Sequence, residues 1–133
     1  MSTVNVFIAI YEDDGVFKHW AVFIDADKAE DKTILQVMGS DGHFRYEPNA
    51  SDARDLPGLV ELHFLCAVDV LKIDIIKDIA AKSPVRNEIK GWNCQDYVFD
   101  VLEVLERKGV VDAQDGTYRR QKNCLKGKQE GLV

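Results

Sequence analysis

The residues with the clearest chemical potential are 91–97, GWNCQDY, which precede an apolar pattern of helical spacing. A cysteine in the first turn of a helix lies at the positive end of the helix dipole. Unpaired backbone N–H groups there stabilise a thiolate and lower its pKa. The same groups hold an oxyanion when a thiolate attacks a carbonyl carbon. Cys94 is therefore the candidate nucleophile, and a buried thiol with only a packing role is the alternative.

A nucleophilic thiol needs an imidazole within hydrogen-bonding distance. His19 begins the apolar run HWAVFI over residues 19–24, where a polar ring stands at the mouth of a predicted strand. It is the candidate base, and a surface histidine near a hairpin end is the alternative. His43 follows a glycine-containing turn and is expected to be exposed. His63 lies within another predicted strand, where a solvated or cross-strand role is expected.

A third side chain orients the imidazole in sites of this kind. Gln36 is the one long polar side chain in the apolar run of residues 33–38, and its carbonyl oxygen can accept a bond from a ring N–H. His43 is the rival for this role, and a solvent-facing Gln36 is the alternative. The candidate substrate-binding residues are the sequence neighbours of the cysteine and the histidine, namely Trp92, Asn93 and Trp20.

A sheet and a helix must bring these side chains together. Runs of β-branched and aromatic residues predict five strands, with a turn at residues 12–15 between the first two. Those strands are expected over residues 4–11, 17–24, 33–38, 43–46 and 59–66. A helix capped by Asp69 is expected to end before Pro84, and a second helix to run from Asn93 or Cys94 to residue 108. The predicted fold is α+β, an antiparallel sheet of four to six strands packed on two main helices.

Length and composition restrict the class of protein. The 133 residues predict a single domain over residues 1–133, with 46% apolar and 30% charged residues. A net charge of −6 gives no electrostatic footprint for nucleic acid or an anionic membrane, and no apolar run approaches the ~20 residues of a membrane span. A small-molecule, peptide or protein substrate is expected, without a metal or an organic cofactor.

The cysteines and the C-terminal residues complete the sequence picture. Three widely spaced cysteines without a CxxC pair predict reduced thiols and a cytoplasmic protein. Residues 113–133 form a basic tail, with five basic residues against two acidic ones. We expect this tail either to wrap the domain as an extra strand or to be partly disordered.

The order of these residues resembles the circularly permuted papain-like fold, whose members include the NlpC-like hydrolases, the lecithin–retinol acyltransferase family and the PPPDE peptidases. The run from His19 to Ile24 is similar to their catalytic histidine strand, and residues 93–98, NCQDYV, are similar to their asparagine-cysteine helix start. Acyltransferase-type members carry a second histidine where this chain has Gln36. The resemblance covers roughly residues 17–109.

The resemblance implies a cysteine-dependent hydrolase, such as a thiol protease, or an acyltransferase, acting on an amide, thioester or ester. Peptide cleavage, deamidation and acyl transfer share the same first step, in which His19 deprotonates Cys94. The alternative is a non-catalytic binding module on the same fold, which the glutamine at position 36 makes more credible.

Overall fold

The computed structural model describes residues 2–12 and 17–130, with a β-rich first half and a helical second half. The strands are β1 (Thr3–Tyr11), β2 (His19–Asp25), β3 (Thr33–Leu35), β4 (Val37–Met38), β5 (Arg45–Tyr46) and β6 (Leu59–Asp69). The helices are α1 (Ile73–Lys82), α2 (Cys94–Arg107) and α3 (Gly116–Lys128). Short 3-10 turns occupy Ala29–Asp31, Ala53–Asp55 and Val70–Lys72. Within the described residues, no helix has both the length and the apolar character needed to cross a membrane.

The main sheet has four antiparallel strands in the order β3-β2-β1-β6, which confirms the α+β class and an antiparallel sheet. β1 and β2 pair from Asn5 opposite Asp25 to Tyr11 opposite His19. The predicted turn at residues 12–15 falls mostly on residues 13–16, which lie outside the described part of the chain. The described helices number three rather than the two main helices expected.

The two faces of the sheet pack into separate apolar clusters. Alternate β2 residues Trp20, Val22 and Ile24 join the larger cluster, which contains the buried face of α2. The intervening residues Ala21 and Phe23 join a smaller cluster on the other face. Helix α2 therefore covers one face of β2, and the loop of residues 47–58 covers the other.

The loop over residues 47–58 covers the smaller cluster. Ala53 is fully buried there, and its carbonyl accepts a bond of 3.0 Å from the Tyr11 hydroxyl. Arg54 donates to Asp25 at 2.7 Å, and this bond holds the pKa of the Asp25 carboxyl below its usual range. The loop is thus fixed to β1 and to the end of β2.

The third predicted strand, residues 33–38, is divided at Gln36, so its prediction as one strand is wrong. β3 pairs with β2 in the main sheet, whereas β4 pairs with β5 in a separate two-stranded sheet. Gln36 lies between these two pairings, and its carbonyl accepts a bond of 2.8 Å from the Glu47 N–H in the returning loop. The β2–β3 pairing consequently covers only Val22 to Ile24.

Residues 116–128 of the basic tail form α3, which corrects the prediction of a wrapping strand, and residues 131–133 lie outside the described part of the chain. Asp115 caps the helix by accepting a bond from the Tyr118 N–H at 2.9 Å. Tyr118 and Leu125 are buried and seven residues apart, so they share one helix face. The Tyr118 hydroxyl donates to Glu106 of α2, which also pairs with Lys122. These long-range contacts stabilise a helix whose own sequence has only two buried apolar positions.

We expect Leu125→Ala to lower the free energy of unfolding by about 2–5 kcal/mol, because it removes a fully buried side chain and leaves a cavity. Chemical denaturation of the purified chain measures the change. Asn123→Ala, at an exposed position of the same helix, is the matched control and should change stability by less than about 0.5 kcal/mol. Equal stabilities of the two variants would contradict the packing of α3 on this core.

Candidate functional site

The second predicted helix begins at Cys94, one of the two starts that the sequence predicted, and Asn93 is its N-cap. The Asn93 side-chain oxygen accepts a bond from the Gln95 N–H at 2.9 Å, and Asp96 accepts one from the Asn93 N–H at 2.9 Å. The Asn93 side chain also accepts from the Asp96 N–H, so Asn93 and Asp96 form a capping box, which fixes the first turn of the helix in one geometry. Cys94 is therefore held at the positive end of the dipole of α2.

The Cys94 sulfur contacts the backbone of β2 on both sides of His19. The sulfur accepts a bond from the backbone N–H of Trp20 at 3.5 Å. The thiol also donates to the backbone carbonyl oxygen of Lys18, which is 3.8 Å from the sulfur. Backbone N–H and C=O groups of a strand point in the plane of the sheet. The sulfur thus lies in this plane, on the edge of β2 where β3 has already ended.

His19 is half-buried, and its ring lies on the face of β2 opposite the main apolar cluster. The ring centroid is 5.9 Å from that of Tyr11, its partner across the hairpin. Its Nε2 lies 2.8 Å from the Gln36 side-chain oxygen. An amide oxygen only accepts, so Nε2 is the protonated nitrogen in this pair and Nδ1 is the acceptor of the neutral ring.

Gln36 lies at the break between β3 and β4, with only 7% of its surface exposed. The bond between its carbonyl and the Glu47 N–H holds the backbone, and the side chain then reaches the His19 ring. The structure thus brings together the histidine and the glutamine that sequence analysis selected. The rival residue, His43, is exposed, and its backbone N–H donates to the Ser40 carbonyl in a turn.

The three candidate substrate-binding residues have structural contacts in the fold. Trp20 is 1% exposed and packs against Phe99 of α2, with ring centroids 5.8 Å apart. Trp92 is 6% exposed, and its indole N–H donates to Asp100 at 3.1 Å. Asn93 caps the helix. These side chains pack around the helix start and do not line the cleft beside His19.

That cleft has a volume of about 460 Å³ and lies on the His19 face of the sheet. His19 and Gln36 form part of its wall, and sequence analysis missed the remaining lining. The main apolar lining residues are Tyr11, Met38, Pro48, Leu56 and Pro57. Burial, with a smaller effect of Asp52, raises the pKa of Tyr11 to about 12, so its hydroxyl stays protonated. The one sequence signal for this lining was the pair of prolines in the loop of residues 47–58, because proline restricts the backbone of a loop.

The environments of the other thiols and of the third histidine separate them from this site. Burial raises the pKa of the Cys66 thiol to about 12, which disfavours a thiolate there. Cys124 is exposed on α3. His63 is buried, and its Nε2 lies 2.9 Å from the Gln121 carbonyl oxygen, so it attaches α3 to β6. Among the described residues, no group of histidine, cysteine and acidic side chains is arranged to hold a metal ion.

Comparison with known proteins gives one match. A family model described as "Family of unknown function (DUF6540)" matches residues 6–112. The matched range includes His19, Gln36 and Cys94, and it ends before α3. No curated protein and no solved structure matches the chain.

We expect Asn93→Ala to lower the free energy of unfolding by about 1 kcal/mol, because the first-turn N–H groups of α2 lose their cap. Urea denaturation measures this change, and the alkylation rate of Cys94 should fall in the same variant. Asp115→Ala, which removes the matching cap from α3, is the control. It should cost similar stability and leave Cys94 alkylation unchanged. An equal fall in the Cys94 alkylation rate in both variants would show that the reactivity of the thiol does not depend on the Asn93 cap.

Proposed function

We propose that this chain, which belongs to the DUF6540 family, is a cysteine-dependent hydrolase or acyltransferase with Cys94 as nucleophile and His19 as base. The observation that carries the proposal is the position of the Cys94 sulfur between the Lys18 carbonyl and the Trp20 N–H, the peptide groups that flank His19. These contacts join the thiol to the backbone on either side of a histidine that lies 75 positions earlier in the sequence.

The bond between His19 and Gln36 supports a role for the His19 ring as a base. Gln36 accepts from Nε2, so the neutral ring presents Nδ1 as a base. In the proposed first step, Nδ1 takes the proton of the Cys94 thiol. The glutamine keeps the imidazolium oriented through the same bond, while its lack of charge makes it a weaker partner than a carboxylate.

The thiolate then attacks the carbonyl carbon of an amide, thioester or ester. A carbon–sulfur bond forms, and the carbonyl electron pair moves to oxygen, where N–H groups of the α2 start stabilise the oxyanion. The leaving group departs with its bonding pair and takes the proton from His19. Water or a second nucleophile attacks the resulting acyl-cysteine, and His19 accepts its proton. The carbon–sulfur bond then breaks with its electron pair going to sulfur, the acyl product leaves, and His19 returns the proton to the Cys94 thiolate.

A permuted papain-like arrangement is part of this proposal. The histidine strand precedes the cysteine helix, the helix packs on that strand, and an amide side chain binds the ring nitrogen. These features support the resemblance described from sequence. The apolar cleft beside His19 supports a substrate with an apolar acyl group or side chain next to the scissile bond.

One observation favours a second candidate function, a non-catalytic module that binds its partner in the same cleft. Cys94 is only 7% exposed, so a substrate carbonyl would need the surrounding groups to move. This candidate keeps the fold and the cleft and assigns the thiol a structural role. The two functions differ in whether His19 controls the reactivity of Cys94.

We expect His19→Ala to slow iodoacetamide alkylation of Cys94 by about tenfold or more at pH 7, because the thiolate loses its cationic partner. The midpoint of the rate against pH should move upward. Mass spectrometry of the Cys94 peptide measures the rate, and the exposed Cys124 of the same chain is an internal reference. Cys94→Ser confirms the site assignment. Identical Cys94 profiles in the parent chain and His19→Ala would favour the binding module.

A direct test of catalysis uses p-nitrophenyl hexanoate, an activated ester with an apolar acyl chain. The parent chain should release p-nitrophenol in a burst and carry one hexanoyl group on Cys94, detected by intact mass. Cys94→Ala should lose the adduct, and Gln36→Ala should lower the burst rate by about three- to tenfold through loss of the ring's partner. Full alkylation at Cys94 by iodoacetamide, with no acyl adduct from the ester, would count against catalysis.

A further inference from the structure

The open edge of β2 is closed by side chains that replace a strand. Three backbone groups face this edge, namely the N–H and C=O of Lys18 and the N–H of Trp20. The Trp20 N–H donates to Cys94, as described above. The Lys18 carbonyl accepts from the Gln95 side-chain nitrogen at 3.0 Å, and the Lys18 N–H donates to a Glu130 oxygen at 3.0 Å. Cys94, Gln95 and Glu130 therefore take the place that β3 vacates.

Gln95 and Glu130 also bind each other. The Gln95 side chain is fully buried; its nitrogen donates to Glu130 at 3.3 Å, and its oxygen accepts from the Glu130 N–H at 2.7 Å. Every polar atom of this buried amide thus has a partner, and Glu130 supplies a partner to both ends. The second Glu130 oxygen lies 3.9 Å from the Lys18 ammonium group.

A neighbouring residue extends these contacts to the helix cap. The Gln129 side chain donates to Asp96 at 3.2 Å, and the other Asp96 oxygen accepts from the Asn93 N–H. We refer to Gln129 and Glu130 as the C-terminal clamp. The clamp follows α3 directly, because Gln129 is the C-cap of that helix in an extended conformation.

We propose that Glu130 is a positioning residue for the Cys94–His19 site. It holds Lys18 and Gln95, the residues next in sequence to the base and the nucleophile, in a fixed register at the sheet edge. Without its side chain, the Lys18 N–H loses its acceptor and the Gln95 side-chain nitrogen loses one of its two acceptors, so the start of β2 can shift against α2. This inference rests on the proposed function, since it assigns a role in setting the reactivity of the thiol.

The test compares Glu130→Ala and Glu130→Gln in the full chain, using the pH profile of Cys94 alkylation by iodoacetamide. Glu130→Ala should slow the rate at pH 7 by about three- to tenfold, as expected for loss of a hydrogen bond to a charged acceptor. It should also move the midpoint of the profile upward. Glu130→Gln keeps an acceptor oxygen for Lys18 and Gln95, so its rate should stay within about twofold of the parent.

The matched control is Lys128→Ala, which removes the ion pair between α3 and Glu61 and leaves the clamp intact. It should leave the Cys94 profile unchanged. Gln129→Ala is a milder variant of the clamp and should slow alkylation in the same direction, even if Glu130→Ala lowers the melting temperature below the assay range. Thermal unfolding of each variant identifies any such loss of folding.

Three results would overturn the positioning role: a parent-like profile in folded Glu130→Ala, an equal slowing in Lys128→Ala, or a loss in Glu130→Gln as large as in Glu130→Ala. His19→Ala in the same assay separates the two proposals. If His19→Ala slows Cys94 alkylation and Glu130→Ala does not, the positioning role fails and the catalytic pair stands. If His19→Ala has no effect, the catalytic proposal fails whatever Glu130 does.

Discussion

A strand N–H that bonds to a side chain on a helix requires the neighbouring strand to be absent at that point. The Trp20 N–H meets this condition because β3 ends at Leu35, and the chain then leaves the sheet edge at Gln36. The same interruption lets the Gln36 side chain reach the His19 ring. One break in the sheet therefore admits the sulfur from α2 and supplies the imidazole with its partner.

The parts of the site that depend on near neighbours in the sequence were predictable. Asn93 and Asp96 form a capping box within four residues, so the start of α2 follows from local chemistry. The continuous apolar run of β2 and the pairing of β1 with β2 were also predictable from the sequence. The register of that hairpin was not, and it is the register that places Tyr11 against His19 in the cleft wall.

Features that depend on distant partners could not be read from the sequence. Residues 33–38 have uniform strand character, and the break at Gln36 is visible only in the pairing, because β3 pairs with β2 and β4 pairs with β5. The helix in the basic tail has two buried apolar residues, Tyr118 and Leu125, which are too few for a helical period to be evident in the sequence. This helix is stabilised by tertiary contacts, among them the one between His63 and the Gln121 carbonyl.

The buried apolar residues form two separate clusters, so the residues that stabilise the fold and those that shape the cleft are largely different. The larger cluster holds α2 against the sheet, and the smaller one, with the loop of residues 47–58, borders the cleft. Because Leu56, Pro48 and Pro57 lie outside the larger cluster, changes there alter the shape and polarity of the cleft while the main core keeps its packing. Substitutions in this loop can therefore reshape the cleft among descendants of this chain without repacking α2, with selection acting on one face of the sheet at a time.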